Sequence, residues 1–569
     1  MSATRETARP RNLLRYVPAL TVGAFLLPIG AGLVGTLLPA FGYLPAIGGD
    51  AFTLAPWRRL FSYPGFASSV WLTLTVGIGT SLLAAALAFL FCAWAHERPR
   101  LRRAGAWIAP VLATPHSALA IGLAFLIAPS GWIARAISPW LSGWTLPPDL
   151  ATVGDPRGLA LMLGLLVKEV PYLILMIVGA LHQVPVREHM TIARALGYSR
   201  EAAWIKVILP QVYPQVRLPI FAVVAFSLSV VDVALILGPS NPPPLAVLAV
   251  RWFTDADIAL YFPAAAAATL LLTIVGLVLG LWFAIERAIV AMGLRWIARG
   301  TRRGLALAFA SAAATVCALL LLLAFLAITG MAIWSFASQW RFPDLFPHGY
   351  SLSNWMRRLM DLAGPSGTTL VIGALATAIA LALVVGCLEN EGRAHRRASS
   401  GALWLLYLPL LVPQVAFLFG AQVLLVRMGI DGTLAAVVWA HLVFVLPYLF
   451  LSLADPWRAL DPRYARAASS LGATPARVLV AVKLPILLRP VLIACAVAFA
   501  VSVGQYLPTL FAGNGRVATL TTEAVTLAAG ADRRVIGAYA LVQALFPFAA
   551  YLAAVALPML VFRHRRAFR

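Results

Sequence analysis

Residues 196–210 read LGYSREAAWIKVILP, and residues 471–485 read LGATPARVLVAVKLP. Both are charged, glycine-led stretches lying between long apolar runs. Gly197 and Gly472 stand 275 positions apart, and so do Pro210 and Pro485. Gly238 and Gly513 keep that offset, and VPYL at 170–173 answers LPYL at 446–449. Further upstream, ATPHSALAIG (113–122) resembles LVPQVAFLFG (411–420). A period sustained across such distances marks internal duplication. The chain reads as two related halves, near 1–290 and 300–569.

Composition fixes the environment of these halves. The 569 residues are 61% hydrophobic and 11% charged, where a soluble protein carries roughly 25% charged residues. Apolar runs long enough to cross a hydrocarbon core of roughly 30 Å recur near 15–37, 68–94, 104–127, 158–182, 214–237, 262–285, 305–333, 368–388, 402–426, 433–454, 490–512 and 536–562. The expected fold class is therefore an all-α polytopic membrane protein of about twelve transmembrane helices. With six spans in each half, the two halves share one orientation and form parallel repeats about an axis along the membrane normal.

The net charge of +23 has to be placed before it is read. With the N-terminus inside, cytoplasmic segments hold 30 Lys/Arg and external segments 12. That asymmetry is the positive-inside rule, so the basic charge reports topology and no nucleic acid is expected as a partner. The basic start, MSATRETARPRNLLR, leads into a retained first helix rather than a cleaved signal peptide. Cys92, Cys317, Cys387 and Cys495 all lie within or at the ends of apolar runs, without a CxxC or CxxH neighbour. Neither a disulfide framework nor a metal site is expected, and no cofactor.

The repeated loop has its own local logic. Gly197 suits the left-handed C-cap of a helix over TIARAL, and Ser199 then caps a second helix with Glu201 in its first turn. In the second copy Thr474 caps and Pro475 takes the first helical position. Pro210 and Pro485 are expected to stop the second helix before the next span. Each loop is thus a helix–elbow–helix unit, more than the roughly 2–8 residues that joining two helices needs. Two matching units facing the cytoplasm suit a dimeric partner; the bland alternative is a pair of amphipathic loops on the headgroups.

These residues resemble the cytoplasmic signature EAA-x3-G-x9-I-x-LP of permease subunits in binding-protein-dependent ABC importers of the type I fold. Gly197 is followed by nine residues and then Val207-Ile208-Leu209-Pro210; Gly472 by nine and then Val482-Lys483-Leu484-Pro485. The triplet itself is weaker, Thr191-Ile192-Ala193 and Arg466-Ala467-Ala468, and neither copy keeps the glutamate. Glu188 and Glu201 lie nearby, but neither aligns. The fused layout looks like the ferric-iron and thiamine type systems, and most like thiamine-transport permeases.

The resemblance implies an N-terminal helix and external loop (1–66), a first permease domain (67–286), a linker with the seventh helix and an external loop (287–365), a second permease domain (366–562) and a basic cytoplasmic tail (563–569). It also implies ATPase-coupling roles for Ala193, Leu196, Gly197, Pro210, Ala468, Leu471, Gly472 and Pro485. The implied partners are two copies of a separate ABC ATPase subunit, an external solute-binding protein, the lipid bilayer, and a small-molecule or ion substrate. The implied location is the bacterial inner membrane, with both termini cytoplasmic.

A P-loop needs G-x4-G-K-[S/T]. Here Lys168, Lys206 and Lys483 are the only lysines, followed by Glu, Val and Leu. The chain therefore has no Walker A motif, and it is expected to be a transport subunit rather than an enzyme. A gradient-driven 6+6 carrier is the rival, since it also has parallel halves. Its usual Gly-x3-Asp-Arg pattern is missing from the loop HERPRLRR between spans 2 and 3. An integral membrane enzyme would need a motif such as HExxH, GxSxG or a carboxylate pair, and none occurs. Ionisable groups inside spans mark pathways or interhelical bonds. The candidates are Asp232, Lys168 beside Glu169, His116 with its counterpart Gln414, and Gln505 beside Tyr506. NPPPL (241–245) is a proline-stiffened external loop on which a binding protein can rest.

Overall fold

A computed structural model describes residues 13–96, 98, 104–302, 309–394, 400–530 and 532–562. The expected tail at 563–569, the extreme N-terminus and most of the HERPRLRR loop lie outside the described residues. Among those described, ten helices are long and apolar enough to cross a membrane, and crossings reach twelve if each of two bent pairs is one span. In chain order, spans 1 to 8 are Leu14–Ala40, Phe66–Ala95, His116–Ile137, Leu159–Leu181, Arg200–Ser229, Ile258–Ala298, Ala310–Phe336 and Ser353–Ala394. Span 9 is the bent pair Trp404–Leu411 and Gln414–Arg427, span 10 is Leu434–Arg458, span 11 is the bent pair Pro475–Ile486 and Leu488–Val503, and span 12 is Arg533–Val561. The strands found are Ala337–Gln339 and Gly349–Tyr350, an antiparallel pair between spans 7 and 8.

Four of the expected spans are interrupted, which corrects their boundaries. Helix Ala104–Ala113 is separated from the span 3 helix by Thr114 and Pro115. Span 9 bends by 97° before Gln414, after Pro413. Proline removes a backbone donor and disfavours helical geometry in the residue before it, so both breaks are local in origin. The helix of span 5 ends at Ser229 and a short helix begins anew at Asp232; the helix of span 11 ends at Val503 and restarts at Leu507. No proline interrupts the chain at 230–231 or 504–506.

Duplication is visible bond by bond. The Thr73 hydroxyl in span 2 accepts the Leu245 N–H at 2.9 Å, and Thr369 in span 8 accepts the Leu520 N–H at 2.9 Å. These bonds cap the equivalent buried helices Leu245–Phe253 and Leu520–Ala528. The Gly154 N–H donates to the Leu237 carbonyl at 3.0 Å, and the Gly432 N–H to that of Ala512 at 3.0 Å.

The halves are locked by reciprocal exchange of their first helices. Span 1 packs along span 9, and span 7 along span 3. Small residues permit the approach, as expected where helices associate without a hydrophobic driving force. A Cβ on Gly420 would overlap the Gly32 carbonyl oxygen, and the Gly420 N–H donates to Thr36 Oγ1 at 3.1 Å. At the equivalent crossing, a Cβ on Gly122 would lie 2.5 Å from the Ala327 carbonyl oxygen. Buried Gln543 of span 12 adds a polar rivet across the halves, donating to Ser117 Oγ at 2.9 Å.

Candidate functional site

The two repeated loops fold alike. Helix Val186–Ala195 ends at an elbow where Gly197 adopts φ +82°, and helix Pro462–Ser470 ends where Gly472 adopts φ +82°. The Gly197 N–H reaches the Arg194 carbonyl at 2.9 Å and the Tyr198 N–H that of Ala193 at 3.1 Å. In the second copy Gly472 bonds Ser469 at 2.9 Å and Ala473 bonds Ala468 at 3.1 Å. This paired closure is the Schellman motif, and a positive φ is what makes glycine the fitting residue. Ser199 then accepts the Ala202 N–H at 3.2 Å and Thr474 the Arg477 N–H at 3.4 Å, the caps expected from the sequence.

Beyond the caps, the expectation for the prolines is corrected. Neither Pro210 nor Pro485 stops the helix; each lies in the first turn of the next helical segment, Leu209–Ser229 and Leu484–Ile486. A π-type turn, Trp204–Ile208 or Leu479–Lys483, precedes each one. At the start of a new helical register the missing proline N–H has no partner to lose. The first elbow helix therefore continues into span 5. The second bends by 80° at Leu487, two residues after its proline. At the apices Leu196 is 58% and Leu471 88% exposed, whereas Ala193 is buried and Ala468 half-buried.

The in-span candidates gather around the helix breaks. His116 and Gln414 each open a helix directly after a proline, at matching places in the two halves. His116 Nε2 lies 3.5 Å from Glu169 Oε1 of span 4, and its ring packs on Phe226 of span 5 at 4.8 Å. Asp232 occupies the first position of helix Asp232–Leu237, within electrostatic reach of His116 and of Tyr506. Gln505 lies in the span 11 break, where Gly504 faces Pro115 across the halves. Tyr172 and Tyr448, equivalent residues of spans 4 and 10, both stand near Glu169. Asp232, Gln414, Gln505 and Tyr506 are half-buried, and the His116 side chain is 35% exposed.

Lys168 belongs to this region in another capacity. Its ammonium donates to the Val111 and Leu112 carbonyls at 2.9 Å each, and to that of Thr114. These carbonyls are released where the helix ends before Pro115, so the lysine caps the break. Sequence reasoning overlooked His441, a lone histidine in an apolar span. It is buried, with Nδ1 2.8 Å from Ser502 Oγ and Nε2 2.8 Å from Thr509 Oγ1. It thereby joins the two sides of the span 11 break. Its signal was the single polar letter in VVWAHLVFVLP (437–447). Among the described residues, no three His, Cys, Asp or Glu side chains gather as a metal site.

Comparison with known proteins adds relatives for this arrangement. No family model matches the chain. It is 33% identical over 542 residues to the inner membrane ABC transporter permease protein YnjC of Escherichia coli, covering 94% of this chain and 95% of that protein. The molybdenum transport system permease protein ModB of Mycobacterium bovis is 34% identical over 188 residues, which is 30% of this chain and 70% of ModB. The putrescine transport system permease protein PotI of Escherichia coli is 27% identical over 168 residues, 28% of this chain and 59% of PotI.

Proposed function

Since the chain belongs to the ABC transporter permeases, as a fused two-domain member of the type I importer kind, we propose that it forms the solute pathway of an ATP-driven uptake system and takes its energy through the two elbows. The observation that carries this reading is the repetition of one elbow geometry, Gly197 and Gly472 both at φ +82° beneath exposed Leu196 and Leu471. Two copies of a separate ATPase subunit dock there, one per half, around Ala193, Leu196, Gly197 and Pro210 and around Ala468, Leu471, Gly472 and Pro485. The permease domains are 67–286 and 366–562. Both termini and the elbows face the cytoplasm, and a binding protein delivers the solute on the opposite face.

Closure of the ATPase dimer draws the elbows together and shifts the balance between inward- and outward-open states. Asp232, His116, Gln414 and Gln505 line the path at the helix breaks. Lys168 supports that path by holding the span 3 break rather than by meeting the solute. The solute is thiamine-like or another small molecule or ion, with selectivity set mainly by the binding protein. A gradient-driven carrier has no use for two matched elbows.

Mild-detergent purification of the tagged protein from its native cells, with mass spectrometry of what accompanies it, tests the reading. A near-stoichiometric soluble protein carrying a Walker A motif is expected. Reproducible recovery of the chain alone, even after cross-linking, would refute ATPase coupling.

A further inference from the structure

The two elbows match in backbone and differ in what holds them. Span 6 extends far beyond its counterpart: Val561, where the span 12 helix ends, corresponds to Glu286 at the 275-residue offset, yet the span 6 helix runs to Ala298. Past it, Gly300 at φ +64° turns the chain back toward the first elbow. There the Arg302 carbonyl accepts the Ser199 N–H at 2.9 Å. Lys206, beneath the elbow, donates to the Thr301 carbonyl at 2.6 Å and the Thr301 hydroxyl at 3.0 Å. The same ammonium lies 4.1 Å from the centroid of the Trp296 ring, a cation–π distance. Arg302 also flanks Gly197, where a Cβ would come 3.3 Å from its guanidinium nitrogen.

At the second elbow the counterpart of Lys206 is Ala481, and no described residue comes within 4 Å of a Cβ built on Gly472. Helix Pro462–Ser470 has no buried residue, whereas Met190 and Ala193 are buried in Val186–Ala195. The second unit is tied at its base, by Lys483 to Glu389 at 2.6 Å. We propose that Trp296–Arg302 is a built-in strap that fixes the first elbow, so that one ATPase subunit meets a rigid elbow and the other a hinged one. The strap leaves Leu196 at the apex exposed, so it braces the docking surface without covering it. Its consequence for the ATPase rests on the coupling reading above; the bracing itself does not.

The test is hydrogen exchange in peptides covering 192–203 and 467–478 of the full-length permease in phospholipid nanodiscs, first alone and then with its ATPase. Local opening sets such rates. The first elbow is expected to exchange roughly tenfold more slowly than the second when the permease is alone. Lys206→Met and, separately, Trp296→Ala should erase the difference, while Lys206→Arg, which keeps a donor and a cation, should retain most of it. Equal rates in the unaltered protein, or a difference surviving both disruptive variants, would overturn the strap. So would protection that needs anionic lipid and vanishes in neutral nanodiscs, since headgroups would then be its cause. If the ATPase slows exchange at neither elbow, the coupling reading falls while the strap stands.

Discussion

Gly197 and Gly472 carry the same φ for the same reason, but their surroundings separate the outcomes of changing them. A β-branched residue in the left-handed region costs roughly 1–2 kcal/mol. At Gly472, with no described residue within 4 Å of a Cβ, Gly472→Val should strain only the elbow; at Gly197 the new side chain also presses on Arg302. Both variants are expected to retain ATPase binding but lose most substrate uptake per ATP hydrolysed in reconstituted vesicles, Gly197→Val more severely. Uptake at the unaltered level in Gly472→Val would count against a coupling role. Lys168 makes a different residue-scale case. Lys168→Met strips donors from three carbonyls, each worth about 1–3 kcal/mol when left buried and unpaired. The expected result is a sharply reduced yield of monodisperse protein on size-exclusion chromatography.

Helices in this protein are defined as much by where they break as by where they run. The Pro115 and Pro413 breaks are written in the sequence, and so are the elbow caps. The break at 230–231 is not, because neither Val230 nor Val231 is a breaker residue; at 504–506 Gly504 weakens the helix, and a partner from another span holds the gap. His441 is that partner, bonded to Ser502 before the gap and Thr509 after it. Removing its ring by His441→Ala leaves Thr509 its bond to the Gln505 carbonyl but takes away the link across the gap. A loss of about 1–3 kcal/mol is expected, read as a lowered midpoint of thermal unfolding in detergent. The π-type turns before Pro210 and Pro485 also escaped the sequence reading, since a proline in isolation is equally consistent with ending a helix and with beginning one.

At the scale of the molecule, each half lends its first helix to the other. Neither half alone can cover the faces that spans 1 and 7 bury. Two chains divided at 305 and co-expressed are therefore expected to assemble and co-purify, whereas either one alone should be lost to proteolysis, as judged by immunoblot of the membranes. Gly420→Leu drives a side chain into the span 1 backbone at Gly32 and should prevent that co-purification. Assembly unaffected by Gly420→Leu would mean that the crossing of spans 1 and 9 does not hold the halves together.

The sequence by itself determined the membrane class, the two-fold duplication, the elbows and their glycines, and the family. Each of these rests on local chemistry or on periodicity, which survive without knowing what lies nearby. Only the tertiary structure decided that the leading helices are exchanged, that Lys168 caps a break, that His441 bridges another, and that Lys206 ties the first elbow to Trp296–Arg302. Those roles depend on which groups face one another across 54 to 384 positions of chain, and in a low-dielectric interior a polar side chain takes its meaning from its partner.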